Sequence, residues 1–391
     1  MIIKRRILAI SIICLFIALS CNTQLMQIQS AEGYWPTSGW KECNPSVQDL
    51  RPLIINQITN YIENFNTQHL SSKVDSCIVV KNGFIVYEDY FNLYTQSNFH
   101  PLWSVTKSVI SSLIGIAIKE GFIDGVNEHI LNFFPGRNIS NLDYRKESIT
   151  IEHLLLMSTG LAYPGDDEIW SGWMNSPNQV QYILNLPMAT IPGTIFNYDT
   201  GGSHLLSAII QYVTNRTTEE FAEEYLFGPL GITHYFWMTD KQGINFGGHG
   251  LHLEPRDMAK FAYLYLQDGI WENERILPEG WVEYSTDTYW NFNVLWGYSH
   301  QWWTHPFYNA YAAAGRYGQR IIVIPEDNLI VVFTASLSVS EPEPYFEILN
   351  NFILSAFDYP KVFLAYTVFF PLVGVSLFVI IISSVKRLKI K

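Results

Sequence analysis

The stretch "PLWSVTKSVISSLIGIAIKEG", Pro101 to Gly121, restricts the fold of this chain more than any other. Past the first turn its pattern is helical yet leaves no consistent polar face, because Val105, Val109, Ile110, Leu113, Ile114, Ile116, Ala117 and Ile118 point all round. A helix apolar on every side has to be buried, so other layers must enclose it. A chain of 391 residues, 48% hydrophobic and 15% aromatic, has the material for such a core. Lys107 is the oddity, since an unpaired ammonium is costly there. Ser104 lies three residues earlier, on the same side of the first turn. Burial and the positive end of a helix dipole both work against an ammonium. A neutral amine beside a serine hydroxyl is a general base beside a nucleophile. Ser-x-x-Lys recurs at Ser38/Lys41 and Ser383/Lys386, but only the 104–107 copy heads an apolar helix. The competing reading is a capping serine and a snorkelling lysine.

Around that helix the segments fall into an order. Leu50, Leu53, Ile54, Ile58, Ile62 and Phe65 recur at helical spacing. "CIVVKNGFIVYEDYF" places two β-rich runs around Asn82-Gly83, a hairpin signal. A long middle stretch, 120 to 290, mixes helices with loops rich in Gly, Pro, Asn and Asp. "YNAYAAAG", "QRIIVIPE" and "NLIVVFTAS" then read as three strands, and Ile348, Leu349, Phe352, Ile353 and Ala356 as a last amphipathic helix. The expected fold is α+β: an antiparallel sheet built from both ends of the chain, flanked by N- and C-terminal helices, with a helical subdomain beside it. Cys43 and Cys77 either pair as a disulfide or stay as buried thiols.

The two ends read as membrane-directed. Residues 1–21 have a basic start and a short apolar run, the pattern of a signal peptide, and 22–34 form a polar leader. Residues 35–357 make the body and 358–361 a linker. The uncharged run 362–385 is long enough for a C-terminal transmembrane helix, with 386–391 a basic cytoplasmic tail. The expected location is the cell membrane, single-pass, with the body outside the cytosol. The formal net charge is −12, and Lys4, Arg5, Arg6, Lys386, Arg387, Lys389 and Lys391 lie at the extremes, so the body is more acidic still. It has no basic stripe for phosphates, which makes nucleic acid a poor partner.

Two further segments bear on chemistry. "PGTIFNYDTGGSHLLSAII" sets Tyr198 in a turn before another apolar helix, where its hydroxyl can relay a proton. In "AAAGRYGQR" the glycines Gly315 and Gly318 let backbone approach a ligand closely, and a strand-edge N–H there can join that of Ser104 in an oxyanion hole. His249 and His252 in "GGHGLHL" lack a third ligand at recognisable spacing and read as structural, so no metal and no cofactor is expected. Trp170 and Trp173 in "DEIWSGWMNSP" either line a cleft or pack their loop.

Taken in order, "LWSVTKSVISSLIG", "FNYDTGGSHLLSAII" and "AAAGRYGQRIIVIPE" resemble the nucleophile, tyrosine and strand motifs of the serine β-lactamase and penicillin-binding-protein superfamily. The likeness is greatest to its class C-like and esterase branch, which includes 6-aminohexanoate-dimer hydrolases. "ITIEHLLLMSTGL", "EPRDMAKFAYLYLQDGIWENERILPEGW" and "GYSHQWW" extend it over 35 to 357. The resemblance implies a β-lactamase/transpeptidase-like fold with its site between sheet and helices. It makes Ser104 the acylated nucleophile, with Lys107 and Tyr198 sharing the proton work and the N–H groups of Ser104 and Arg316 as oxyanion donors. Thr200, Ala314, Gly315 and Trp170 would contact substrate. Two positions depart from the pattern: Thr200 stands where the tyrosine motif has Asn, and Ala313 where the strand motif has Lys or His. In relatives that cleave β-lactams or D-Ala-D-Ala ends, that cation holds a substrate carboxylate. The expected function is therefore a membrane-anchored serine hydrolase acting on a small-molecule carboxylic ester or amide. The alternatives are a D-amino-acid peptidase or β-lactamase, and a non-catalytic surface binding protein on the same fold.

Overall fold

The computed structural model describes residues 34–339 and 343–357. Its centre is an eight-stranded antiparallel sheet in the order β2-β1-β13-β12-β11-β10-β9-β8. The strands are β1 Lys73–Lys81, β2 Phe84–Tyr90, β8 Trp290–Asn291, β9 Gly297–Ser299, β10 Trp302–His305, β11 Ala310–Gly315, β12 Gln319–Ile324 and β13 Leu329–Ser336. Strands β3 His100–Pro101, β4 Tyr235–Trp237 and β5 Leu251–Leu253 form a second small sheet, and β6 Ile270–Trp271 with β7 Glu274–Arg275 a hairpin. Asn82 (φ 52°) and Gly83 (φ 83°) close the β1–β2 hairpin in the left-handed geometry expected of that dipeptide. Strand β1 then pairs with β13, Lys73 opposite Ser336 and Lys81 opposite Leu329, so the two ends of the body meet in mid-sheet.

The central strands are hydrophobic in continuous runs because both faces of the sheet are covered. In β13, Ile330 and Val332 join one core while Leu329, Val331 and Phe333 join the other. The second core lies under helix α1 (Gln57–Gln68) and the C-terminal turns from Tyr345 to Ala356. The first core is filled by helix α2 (Val105–Lys119), helix α4 (Thr200–Thr214) and helix α5 (Pro255–Leu266), while α3 (Asp166–Asn175) sits at its border. Helix α2 packs between α4 and β11, and Val105 to Ala117 are all buried. That explains its lack of a polar face. Each fully buried Ile or Leu along it contributes about 1.5–3 kcal/mol.

The sheet is wider than the sequence indicated. Strands β8–β10 come from "GYSHQWW" and its surroundings, where runs of two to four residues carry too little alternation to read as strands. Cys43 and Cys77 are both free thiols, the second within the core under α1. The expected fold needs correcting in one part, its C-terminal transmembrane helix. Among the described residues no helix is long and apolar enough to cross a membrane. The two longest, α2 and α4, have 15 residues each, about 22 Å against the ~30 Å of a bilayer core. The run 362–385 lies outside the described residues, as do the expected signal peptide, the linker and the tail. Over the described residues the fold is α+β, without a spanning helix.

Candidate active site

Ser104 occupies the N-cap position of α2 with φ −71° and ψ −5°. The chain enters it through Trp103, a non-glycine residue held at φ 49°. Leu102 N–H, bonded to the Leu251 carbonyl at 2.8 Å, pins that sharp entry to β5. Among the described residues no backbone or side-chain acceptor takes the Ser104 N–H. At a helix N-terminus such a free donor is ready for an anion.

Lys107 is only 1% exposed. Its Nζ donates to the Gly248 carbonyl at 2.9 Å and to Thr200 Oγ1 at 3.0 Å, and lies 2.9 Å from Ser104 Oγ. The Thr200 hydroxyl in turn donates to Asp166 Oδ2 at 2.7 Å. Tyr163 holds the other carboxylate oxygen at 2.5 Å. The Tyr198 ring covers the amine, with Nζ 4.8 Å from its centroid, and its far side stacks near Trp303 at 6.1 Å. The half-buried Tyr198 shares a cavity of about 500 Å³ with Ser104, Ala314, Gly315 and Arg316.

Strand β11 brings the other wall. Its last register pair with β10 is Ala312 opposite Trp303, so Ala313 to Gly315 run on past that neighbour. A Cβ at Gly315 would collide with the carbonyl oxygen of Leu102, so only glycine lets this strand end lie against the turn before Ser104. Arg316 and Tyr317 follow, the latter at φ 61°, and the Trp103 and Tyr317 rings meet edge to face at 5.1 Å. The Arg316 guanidinium pairs with Asp167 at 2.9 Å. Arg320, also on the cavity, donates to both oxygens of the Glu343 carboxylate.

Ser104 borders a second cavity of about 270 Å³ with Trp170, Thr200, Gly248 and His249. The two tryptophans therefore part company. Trp170 lines the site, whereas Trp173 is fully buried and donates to the Gln179 carbonyl at 3.2 Å. His249 is 7% exposed, stacks on Phe246 at 4.2 Å, and is pushed down to about 3, chiefly by burial. Asp199, the N-cap of α4, accepts from Gly202 N–H at 2.8 Å. Its carboxyl is pushed up to about 7, chiefly by burial, and among the described residues its Oδ2 has no hydrogen-bond partner.

Ser104, Trp170, Tyr198, Thr200, Ala314, Gly315 and Arg316 thus border the two cavities at Ser104, with Lys107 bonded to Ser104 and Thr200, whereas Trp173 and His252 lie outside them. Sequence reasoning missed Asp166 and Gly248. Asp166 is one of three acidic residues opening α3, a placement that any helix N-terminus favours and that gives no sign of a site. Gly248 had a faint signal in the Gly247-Gly248 pair. A Cβ there would lie 2.5 Å from the Thr200 methyl and 3.3 Å from Lys107 Nζ, so its carbonyl reaches the amine only because the side chain is absent.

Known proteins share this arrangement's scaffold. Residues 68–350 match the family model described as Beta-lactamase. The chain is 23% identical over 288 residues to a 6-aminohexanoate-dimer hydrolase of Paenarthrobacter ureafaciens, covering 67% of this chain and 72% of that one. Among solved structures, a Bacillus anthracis protein provisionally named for the same activity superposes with a TM-score of 0.65 at 22% identity, over 75% of this chain and 80% of that one. The octameric penicillin-binding protein homologue of Pyrococcus abyssi gives 0.62 at 20% identity, over 75% and 76%.

Proposed function

The chain belongs to the Beta-lactamase family, and from that premise we propose that it is a serine hydrolase cleaving a carboxylic ester or small amide through an acyl-enzyme on Ser104. One observation carries the reading: the hydrogen-bond inventory around Lys107. A neutral amine has two N–H donors and one lone pair. The Gly248 carbonyl can only accept, and the Thr200 hydroxyl, already donating to Asp166, accepts as well. With the amine neutral, both N–H groups are then committed and the lone pair would face Ser104 Oγ, 2.9 Å away. That is the geometry of a base taking a hydroxyl proton.

The reaction runs in two halves. Ser104 Oγ attacks the substrate carbonyl carbon and its proton passes to Lys107. The resulting oxyanion accepts from the N–H groups of Ser104 and Arg316. Collapse expels the alcohol or amine, which leaves with a proton delivered through Lys107 and Tyr198. Water then attacks the acyl carbon, the carboxylic acid departs and the serine proton returns. Thr200, Ala314 and Gly315 border the substrate.

The charge distribution favours an uncharged substrate. Ala313 supplies no cation, and Arg316 and Arg320 are engaged by Asp167 and Glu343. A carboxylate-bearing β-lactam or D-peptide end thus lacks a free positive partner, and Asp166 and Asp167 repel it. The test is active-site labelling of the purified protein with a fluorophosphonate, followed by assays on short nitrophenyl esters and a chromogenic cephalosporin. We expect label in the native protein, none in Ser104→Ala, and faster ester than cephalosporin turnover. An unlabelled native protein would leave only the binding-protein alternative; strong cephalosporin and negligible ester turnover would favour the β-lactamase one.

A further inference from the structure

Resting on that hydrolase reading, we infer that the substrate carries an apolar alkyl or aryl arm, which lies in a separate cavity behind Trp103 and Trp170. This cavity holds about 500 Å³ and is walled by Trp103, Trp170, Met174, Met238, Phe246 and His249. Trp103, Trp170 and His249 also border the smaller space that contains Ser104. The two volumes are therefore adjacent, divided by these three side chains, and an arm projecting from an acylated Ser104 would reach the larger one by passing between them.

The wall is mainly apolar, and among the described residues Gln179 Oε1 and His249 Nε2 are its buried polar atoms without a hydrogen-bond partner. The two charged groups that touch it are spent on the protein itself. Asp240 accepts from the N–H groups of Gln242 and Ile244 at 2.7 and 3.0 Å and lies 3.1 Å from His204 Nε2. Lys241 Nζ donates to the Asn175 carbonyl at 2.7 Å. His249, packed between Phe246 and Trp170, presents a neutral ring. The cavity on the other side of Ser104 is the opposite case, bordered by Arg316, Arg320 and Glu343. A substrate with one greasy and one polar side matches this pair. Apolar surface moved from water into the first cavity strengthens binding in proportion to its area.

The experiment uses two ester series on the purified protein: nitrophenyl esters of acids from two to ten carbons, and acetates of alcohols from two to ten carbons. In one of them kcat/KM should rise up to about fourfold per methylene until the cavity is full, and the series that rises shows which side of the bond enters it. Met174→Trp and Met238→Trp, on different elements, each fill the cavity and should flatten that slope at least tenfold in the longest-to-shortest ratio. Thermal unfolding reports whether either variant folds. Two flat series with Ser104 still labelled by fluorophosphonate would overturn the apolar arm and leave the hydrolase reading standing. A slope that survives both tryptophans would overturn its location. Loss of labelling in the native protein would sink the parent reading, and this inference with it.

Discussion

Two lysines in this molecule are equally buried, Lys107 and Lys146, each 1% exposed. Both hold three oxygens. Lys146 Nζ donates to the carbonyls of Ser140, Leu184 and Leu186 at 2.7, 2.9 and 2.7 Å. Three carbonyls can only accept, so they fit an ammonium with nothing left over, and the side chain ties the Ser140 loop to the helix end at Leu184 and Leu186. Lys107 has one carbonyl and two hydroxyls, groups that can accept or donate. Burial alone therefore does not mark a reactive lysine. Reversible partners do, because a proton can move only where a hydrogen bond can change direction.

Exchanging the residues tests this contrast. Ser104→Ala and Lys107→Met should lower kcat/KM for esters by a factor on the order of 10³ or more, while Lys107→Met keeps the native unfolding temperature or raises it. A cost above about 2 kcal/mol in that variant would make Lys107 a structural lysine like its counterpart. Lys146→Met should do the reverse. It strands three carbonyls and should cost roughly 2–4 kcal/mol in urea unfolding, with turnover per folded molecule retained. Lost turnover in a folded Lys146→Met protein would break the distinction from the other side.

A finer change acts on direction alone. Asp166→Asn lets the new amide donate to Thr200, which frees the Thr200 hydroxyl to point at the Lys107 lone pair. We expect kcat/KM to fall about 10- to 100-fold and its pH profile to move. Thr200→Val should fall by a similar factor, and the double variant should be no worse than either single one. Full additivity would show that the two residues do not act as a chain. The smallest effect concerns Asp199. Its folded value of about 7 lies above its ordinary one, so between about pH 4 and 7 the folded protein keeps a proton that the unfolded chain has released. Stability should therefore fall as pH rises through that window. Asp199→Asn, which can still cap α4, should flatten this slope in pH-dependent urea unfolding.

The parts legible in the sequence were those written in neighbouring residues. The Ser104–Lys107 turn, the Asn82-Gly83 hairpin and strands β11–β13 each carry their signal within a few positions. The Thr200–Asp166 bond spans 34 positions and the Lys107–Gly248 bond 141, so neither leaves a local pattern. Trp170 and Trp173 show the same limit within a single helix, since which ring faces a cavity depends on what packs opposite. Thr200 in place of Asn read as a defect from sequence. In the structure it is the link that connects a carboxylate to the amine.

The meeting of β1 and β13 in mid-sheet also sets an order of events during synthesis. The Ser104 turn leaves the ribosome long before the strand that borders its cleft, and the first two strands wait for their central partner until almost the whole body has emerged. Pairings this distant in sequence close slowly. During that wait the greasy α2 has no β11 to lie against, so the nascent chain should depend on chaperones and collapse most readily when translation stops short of residue 336.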